Sequence, residues 1–359
     1  MRRKSFLLLV VAGFLSLVGG VLFPLLKPHA GNSSPHTSNS EGHVLSEDQW
    51  RIEGSRKSGK TRPGKRILRL PALEVDRLRK ENAPEKGKPL RFAERWPVDV
   101  MPSSHGRWKV AGSRVQWSIR VEAPGAQNLN LAFSQFRLPA SARLELRVQG
   151  ELMVRPFTAE DNENHGELWT PLVAGDELEL VLNVAEEERE QVDLRLSGIY
   201  RGFRSFSFAA GTQKLEGSAP AGDCHIDVVC SAEESGAGGL IDQFRDQIKA
   251  AGVYILSGTY FCSGAAINNT RNDKRPLFLT ADHCGITSSN AASMLVYWNH
   301  ENSDCRTRGT SSNASAGNGP VNNFNSGARL RATFEASDMT LVELDDPISE
   351  DHGVFLAGW

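Results

Sequence analysis

From about Phe92 to Phe208 apolar and polar positions alternate with a period of two. Val115, Trp117, Ile119 and Val121 alternate with polar neighbours, as do Leu129, Leu131 and Phe133, then Leu144, Leu146 and Val148, and later Leu178, Leu180 and Leu182. Successive side chains of a strand point to opposite faces of a sheet, so this spacing predicts strands buried on one side. Pro124-Gly125, Pro139 and Ala174-Gly175-Asp176 separate the runs as turns. Residues 92–210 are therefore expected to form a β-sandwich, and no cluster of catalytic residue types accompanies the pattern.

A second patterned region begins near Cys224. Val253–Leu256, Phe261–Ile267, Leu277–Leu279, Met294–Trp298, Arg329–Phe334 and Met339–Leu344 have the composition of short strands joined by Gly, Asn and Ser, which suggests a β-barrel. Leu240 to Val253 suggests a short helix before them. Residues 211–223 are small and polar, the composition of a domain boundary open to proteolysis, and Lys214 is their only basic residue.

Charge changes the picture only at the N-terminus. The 41 basic and 43 acidic side chains nearly cancel, which argues against nucleic acid as a partner of the whole chain. Residues 51–91 are densely basic and poor in aromatics, so residues 31–91 are expected to be a flexible basic linker with a short helix near Leu73 to Lys80. Met1-Arg2-Arg3-Lys4 precedes a stretch without charge from Ser5 to Leu26. That is the layout of an export signal over residues 1–30; the long apolar run, without a small-x-small site after Leu26, leaves an uncleaved membrane anchor as the alternative. All five cysteines, Cys224, Cys230, Cys262, Cys284 and Cys305, lie in the last region of this 359-residue chain. In an exported protein such clustering predicts disulfides, and the odd number leaves one without a partner in the chain.

The candidate chemistry lies in the second region. Leu277-Phe278-Leu279-Thr280-Ala281-Asp282-His283-Cys284-Gly285 is an apolar strand ending in a turn that can present an imidazole as a general base. Phe261-Cys262-Ser263-Gly264-Ala265-Ala266-Ile267 is a strand of small residues that lets a neighbouring backbone approach closely. Ser337-Asp338-Met339-Thr340-Leu341-Val342-Glu343-Leu344 places an aspartate at the start of an alternating strand.

In this order the three segments resemble the chymotrypsin-like serine peptidases. A closer resemblance, over Cys224 to Trp359, is to bacterial lysyl endopeptidases, carried by Cys224-His225-Ile226-Asp227-Val228-Val229-Cys230, Ser257-Gly258-Thr259, Val296-Tyr297-Trp298-Asn299, Asn302-Ser303, Cys305 and Ala357-Gly358-Trp359. Asp282, an acidic residue directly before the histidine, departs from the pattern. The resemblance implies an all-β fold: residues 224–359 as the first barrel of a chymotrypsin-like double β-barrel, after a β-sandwich prosegment. It implies His283 as base, Asp338 as acceptor of its other N–H, disulfides Cys262–Cys284 and Cys230–Cys305, and Cys224 bonded to a cysteine absent from this sequence. The family's Gly-Asp/Ser-Ser-Gly turn is absent before Trp359. Ser263-Gly264 and Ser326-Gly327 are the Ser-Gly pairs of the region that could be mistaken for it.

The expectation is thus a secreted serine endopeptidase precursor whose nucleophile is missing from this sequence, so that the chain is inactive alone. It would act on proteins or peptides without cofactor or metal, and would touch a membrane only through an uncleaved N-terminus. The alternative is a catalytically inactive binding protein, secreted or anchored to a surface. A zinc site is disfavoured because no CxxC, HxxxH or HExxH spacing occurs and His225, His300 and His352 are scattered. Cys284 is a poor nucleophile candidate, since a residue adjacent to its base points away from it.

Overall fold

The computed structural model describes residues 67–85, 87–204, 226–235, 241–307, 319 and 321–358. The expected signal, the linker up to residue 66, the processing linker with Lys214, and Cys224 all lie outside these residues. In chain order come β1 (Ile67–Arg69), α1 (Val75–Glu81), β2 (Leu90–Arg91), β3 (Ala93–Val100), β4 (Arg107–Ala111), β5 (Arg114–Glu122) and β6 (Asn128–Arg137). β7 (Arg143–Val148), β8 (Glu151–Leu152), β9 (Leu168–Trp169), β10 (Val173–Ala174), β11 (Glu177–Ala185) and β12 (Asp193–Gly202) follow.

Apart from β2, these strands form two sheets. One runs β1-β5-β11-β7-β8 with β4 also on β5, and the other runs β10-β6-β12-β3 with β9 also on β6. The period-two positions face inward: Leu178, Leu180 and Leu182 of β11 lie opposite Val121, Ile119 and Trp117 of β5, and all six are buried. Buried side chains of both sheets share one hydrophobic core, as in a sandwich.

Residues 67–91, expected to belong to the flexible linker, pack onto this core. β1 pairs in parallel with β5, and Leu70, Leu73 and Leu78 are buried. The reason lies in the basic side chains that make the segment look solvated. Arg69 Nε donates to Glu122 at 2.8 Å, and Arg79 Nε donates to the Phe203 carbonyl at 3.0 Å. From the sandwich side, Arg204 donates to the Asn82 carbonyl at 2.6 Å, just past the C-terminal end of α1.

The remaining strands are β13 (Ala251–Leu256), β14 (Tyr260–Ile267), β15 (Leu277–Thr280), β16 (Leu295–Trp298), β17 (Phe324–Ser326), β18 (Ala328–Phe334) and β19 (Met339–Leu344). They form one sheet, β17-β16-β13-β14-β15-β19-β18, which β2 joins on β14. The described residues are thus mostly strand. The helix expected from Leu240 to Val253 is reduced to a 3-10 turn at Asp242–Phe244 and a helical turn at Arg245–Ile248. β13 takes the rest, because its side chains are needed on two faces of a sheet.

That double demand explains the continuous apolar run at β16. Tyr254, Val296 and Trp298 belong to the core of the second sheet, whereas Ile255, Leu295, Tyr297 and Phe324 belong to the core of the sandwich. A strand covered on both faces has no polar side and so loses the alternation. Inside the second core, Phe278 sits edge-on against Tyr254 and Trp298, with centroids 5.7 Å apart in each pair. Gly264 makes room for it: a Cβ there would lie 2.5 Å from the Phe278 ring.

Polar contacts stitch the seam between sandwich and second sheet. The Leu172 N–H donates to the buried Tyr297 hydroxyl at 2.9 Å, and Ser326 Oγ donates to the Trp169 carbonyl at 2.9 Å. His165 Nε2 lies 3.1 Å from Asp345, whose side chain is entirely covered, and Arg329 Nε lies 3.0 Å from the other Asp345 oxygen. The hydrogen bond to Asp345 raises the His165 pKa. Burial, with Glu163 and Asp161 nearby, pushes the Asp346 carboxyl up to about 6, against the pull of Arg155.

An acid with a raised folded-state pKa holds its proton more tightly folded than unfolded, so its ionisation costs stability as pH rises through the window from the unfolded value to about 6. His165 acts in the same direction, since its contribution is present below its unfolded pKa and is lost as pH rises through the raised folded value. Asp346→Asn is therefore expected to raise the melting temperature at pH 7.5 and to leave it unchanged at pH 4. Paired thermal scans at the two pH values check this; an equal effect at both would exclude the ionisation as the cause.

Candidate active site

β15 and β19 pair antiparallel with Thr280 opposite Thr340, which brings the C-terminal end of one strand beside the N-terminal end of the other. Each end carries one of the candidate residues. After Thr280 the chain makes a 3-10 turn at Asp282–Cys284 and leaves it through Gly285, whose φ of 77° suits glycine. Cys284 is buried and bonded to Cys262 of β14. The turn is thereby anchored on the sheet from below, while the His283 side chain above it is 43% exposed.

Asp338 precedes β19 at the end of another 3-10 turn, with φ 48° and ψ 50°. This left-handed conformation is one that aspartate tolerates better than most side chains. It turns the carboxylate back toward the histidine. The His283 backbone N–H donates to Oδ1 at 2.9 Å, and Nδ1 lies 2.7 Å from Oδ2. These bonds, the backbone one first, lower the Asp338 pKa. An ionised carboxylate only accepts, so Nδ1 must carry a proton, and in the neutral ring Nε2 then presents its lone pair. A neutral imidazole held in that tautomer can take a proton from a hydroxyl placed against Nε2.

The structure thus brings His283 and Asp338 together. Of the two lookalike serines, Ser326 is bonded to the seam, and Ser263 lies on β14 beside the disulfide-bonded Cys262, its carbonyl accepting from Thr280 Oγ1 at 2.7 Å. Cys230 is bonded to Cys305, as the resemblance implies. Beside this bridge Asp227 accepts from Asn302 Nδ2 at 2.6 Å and from Arg306 N, Nε and a terminal nitrogen at 3.0, 2.8 and 2.6 Å. Burial works against the charge of Asp227, but the Arg306 bonds hold its pKa low. Sequence reasoning gave Asp227 no role beyond its place in a motif, because a lone aspartate carries no signal of its partner.

Two groups among the described residues bring three potential metal ligands within 4.8 Å of one another: Cys262, His283 and Cys284, and Glu163, His165 and Asp345. In the first, both sulfurs are committed to the disulfide. In the second, His165 Nδ1 accepts the Glu167 N–H at 3.0 Å. The proton of the neutral ring is then on Nε2, facing Asp345, where a metal would need a lone pair. Neither group suits an ion.

Residues 218–359 match the family model described as the lysyl endopeptidase C-terminal domain. Over 198 residues, 53% of this chain and 39% of the relative, the chain is 30% identical to the lysyl endopeptidase of Pseudomonas aeruginosa. The chain is therefore related to a bacterial lysyl endopeptidase, and it matches about two fifths of that protein's length.

Proposed function

We propose that this chain supplies the general base and the orienting carboxylate of a secreted serine endopeptidase, His283 and Asp338 respectively. The observation that carries the reading is the pair of bonds from His283 N and Nδ1 to separate oxygens of Asp338, which leaves Nε2 as the proton acceptor. The relationship to a lysyl endopeptidase supports hydrolysis of peptide bonds, and it is the ground for proposing cleavage after lysine.

In the reaction a serine Oγ attacks the substrate carbonyl carbon as its proton passes to Nε2. The resulting imidazolium then returns that proton to the leaving amine as the C–N bond breaks, giving an acyl ester. Water repeats the two transfers and releases the acid. Asp338 stays ionised throughout and stabilises the imidazolium. The serine is proposed to be neither Ser263 nor Ser326, since the former lies on the tethering strand and the latter in the seam. Residues 224–359 would be the first barrel of a chymotrypsin-like double β-barrel. The sandwich would be a prosegment released by cleavage near Lys214, and residues 1–30 an export signal or outward-facing anchor.

The test is covalent trapping. A peptidyl phosphonate ester with lysine at the cleavage position, added to the native gene product, is expected to label one serine, and mass spectrometry of the digest identifies it. Labelling should disappear in His283→Ala and weaken when the lysine is replaced by norleucine. A label on Ser263 or Ser326, or one that survives His283→Ala, would contradict the assignment.

A further inference from the structure

Three threonines stand in a row across the strands beneath the histidine turn. Thr280 of β15 lies opposite Thr340 of β19, and Thr340 lies opposite Thr333 of β18. The last pairing depends on an irregularity. Leu330 is opposite Val342 and Ala332 is opposite Leu341, so Arg331 is an extra residue in β18. In a regular strand residues three apart lie on opposite faces, which would place Thr333 on the face opposite to Leu330. The bulge restores Thr333 to the face of Val342 and Thr340, the re-aiming of a side chain that bulges commonly perform.

Proton counting gives this row a direction. Thr333 Oγ1 is hydrogen-bonded to Asp282 Oδ1 and lies 2.7 Å from Thr340 Oγ1. A hydroxyl has one proton and a carboxylate only accepts, so Thr333 donates to Asp282 in preference to the more distant Met339 carbonyl at 3.3 Å, and Thr340 donates to Thr333. Thr340 is fully buried, and its donor is satisfied in this way. A chain of two hydroxyls therefore runs from the core of the sheet to the carboxylate that immediately precedes His283.

That carboxylate needs holding. Asp282 is a second acid, the residue immediately before His283, and an ionised carboxylate accepts from any N–H within its reach. We propose that Thr333 is a positioning residue: backed by Thr340 and aimed by the bulge at Arg331, its hydroxyl latches Asp282 away from the imidazole, so that Asp338 alone sets the tautomer of His283. Its importance for catalysis rests on the peptidase reading above; the latch itself does not.

The experiment is proton NMR of the downfield Nδ1–H resonance of His283 in the full 359-residue chain, assigned by its loss in His283→Ala. The expected result is one sharp resonance in the parent chain, in Thr333→Ser and in Asp282→Ala. Thr333→Val should broaden or split it, and Thr333→Val combined with Asp282→Ala should restore it. An unchanged resonance in Thr333→Val overturns the proposal. So does a disturbance that Asp282→Ala fails to repair, since that would mark Thr333 as part of the scaffold only. Failure of the peptidase reading shows separately, as absence of His283-dependent phosphonate labelling.

Discussion

On the proposed peptidase reading, Asp338→Asn is expected to lower kcat/KM of the native gene product by about 10⁴-fold while leaving its melting temperature nearly unchanged. The size follows from counting donors. Both groups that face the carboxylate are N–H donors, the His283 backbone and Nδ1. An amide offers one acceptor oxygen and one NH₂, so one of these contacts would set donor against donor. The imidazole relieves it by moving its proton to Nε2, and Nδ1 then accepts from the amide. The hydrogen-bond count is preserved, but Nε2 no longer has a lone pair for the serine proton. Activity assays at several pH values, run beside thermal scans, check this. A loss below tenfold would mean that Asp338 does not set the tautomer.

The largest loss of stability is expected at Trp298. Its ring is fully buried, packs on Phe278 and donates from Nε1 to Asn325 Oδ1 at 2.8 Å. Asn325 is itself buried, and its Nδ2 donates to the carbonyls of Asp346 and Pro347 at 3.2 Å each. Trp298→Ala removes the ring and leaves a cavity, which costs about 3–5 kcal/mol. Trp298→Phe keeps most of the packing but strands the Asn325 oxygen, which costs about 1–3 kcal/mol. Urea unfolding of the parent and both variants should rank them in that order. If Trp298→Phe were as stable as the parent, the Asn325 bond would be without net value.

The sequence made the sandwich legible because β5, β6, β7 and β11 are six to ten residues long and carry the alternation. The histidine turn and Asp338 were legible through the order of three segments rather than through either residue alone. What escaped has physical causes. β17 is three residues long, and β2, at two residues, shows no alternation at all. The packing of residues 67–91 was hidden because arginines that clip a segment to backbone carbonyls have the same composition as arginines in water. Thr333 was invisible for another reason: its side-chain direction depends on a bulge, and nothing in a stretch such as Arg329-Leu330-Arg331-Ala332-Thr333 marks which residue is the extra one. The His165–Asp345 contact joins residues 180 apart, a distance over which local pattern carries no information.

The seam also bears on the order in which the molecule can assemble. The bond from Leu172 to Tyr297 spans 125 residues, and that from Ser326 to Trp169 spans 157. Contacts at such separations return nothing until a long loop has closed, and are therefore late and slow events in folding. The ribosome delivers the sandwich first, and every pairing within its two sheets is between strands that precede β13 in the chain. When β13, β16 and β17 emerge, the apolar surface that will take Ile255, Leu295, Tyr297 and Phe324 already exists. The nascent second sheet thus condenses on a finished template, and its two-faced strands spend little time with both faces in water, the condition in which such strands would aggregate.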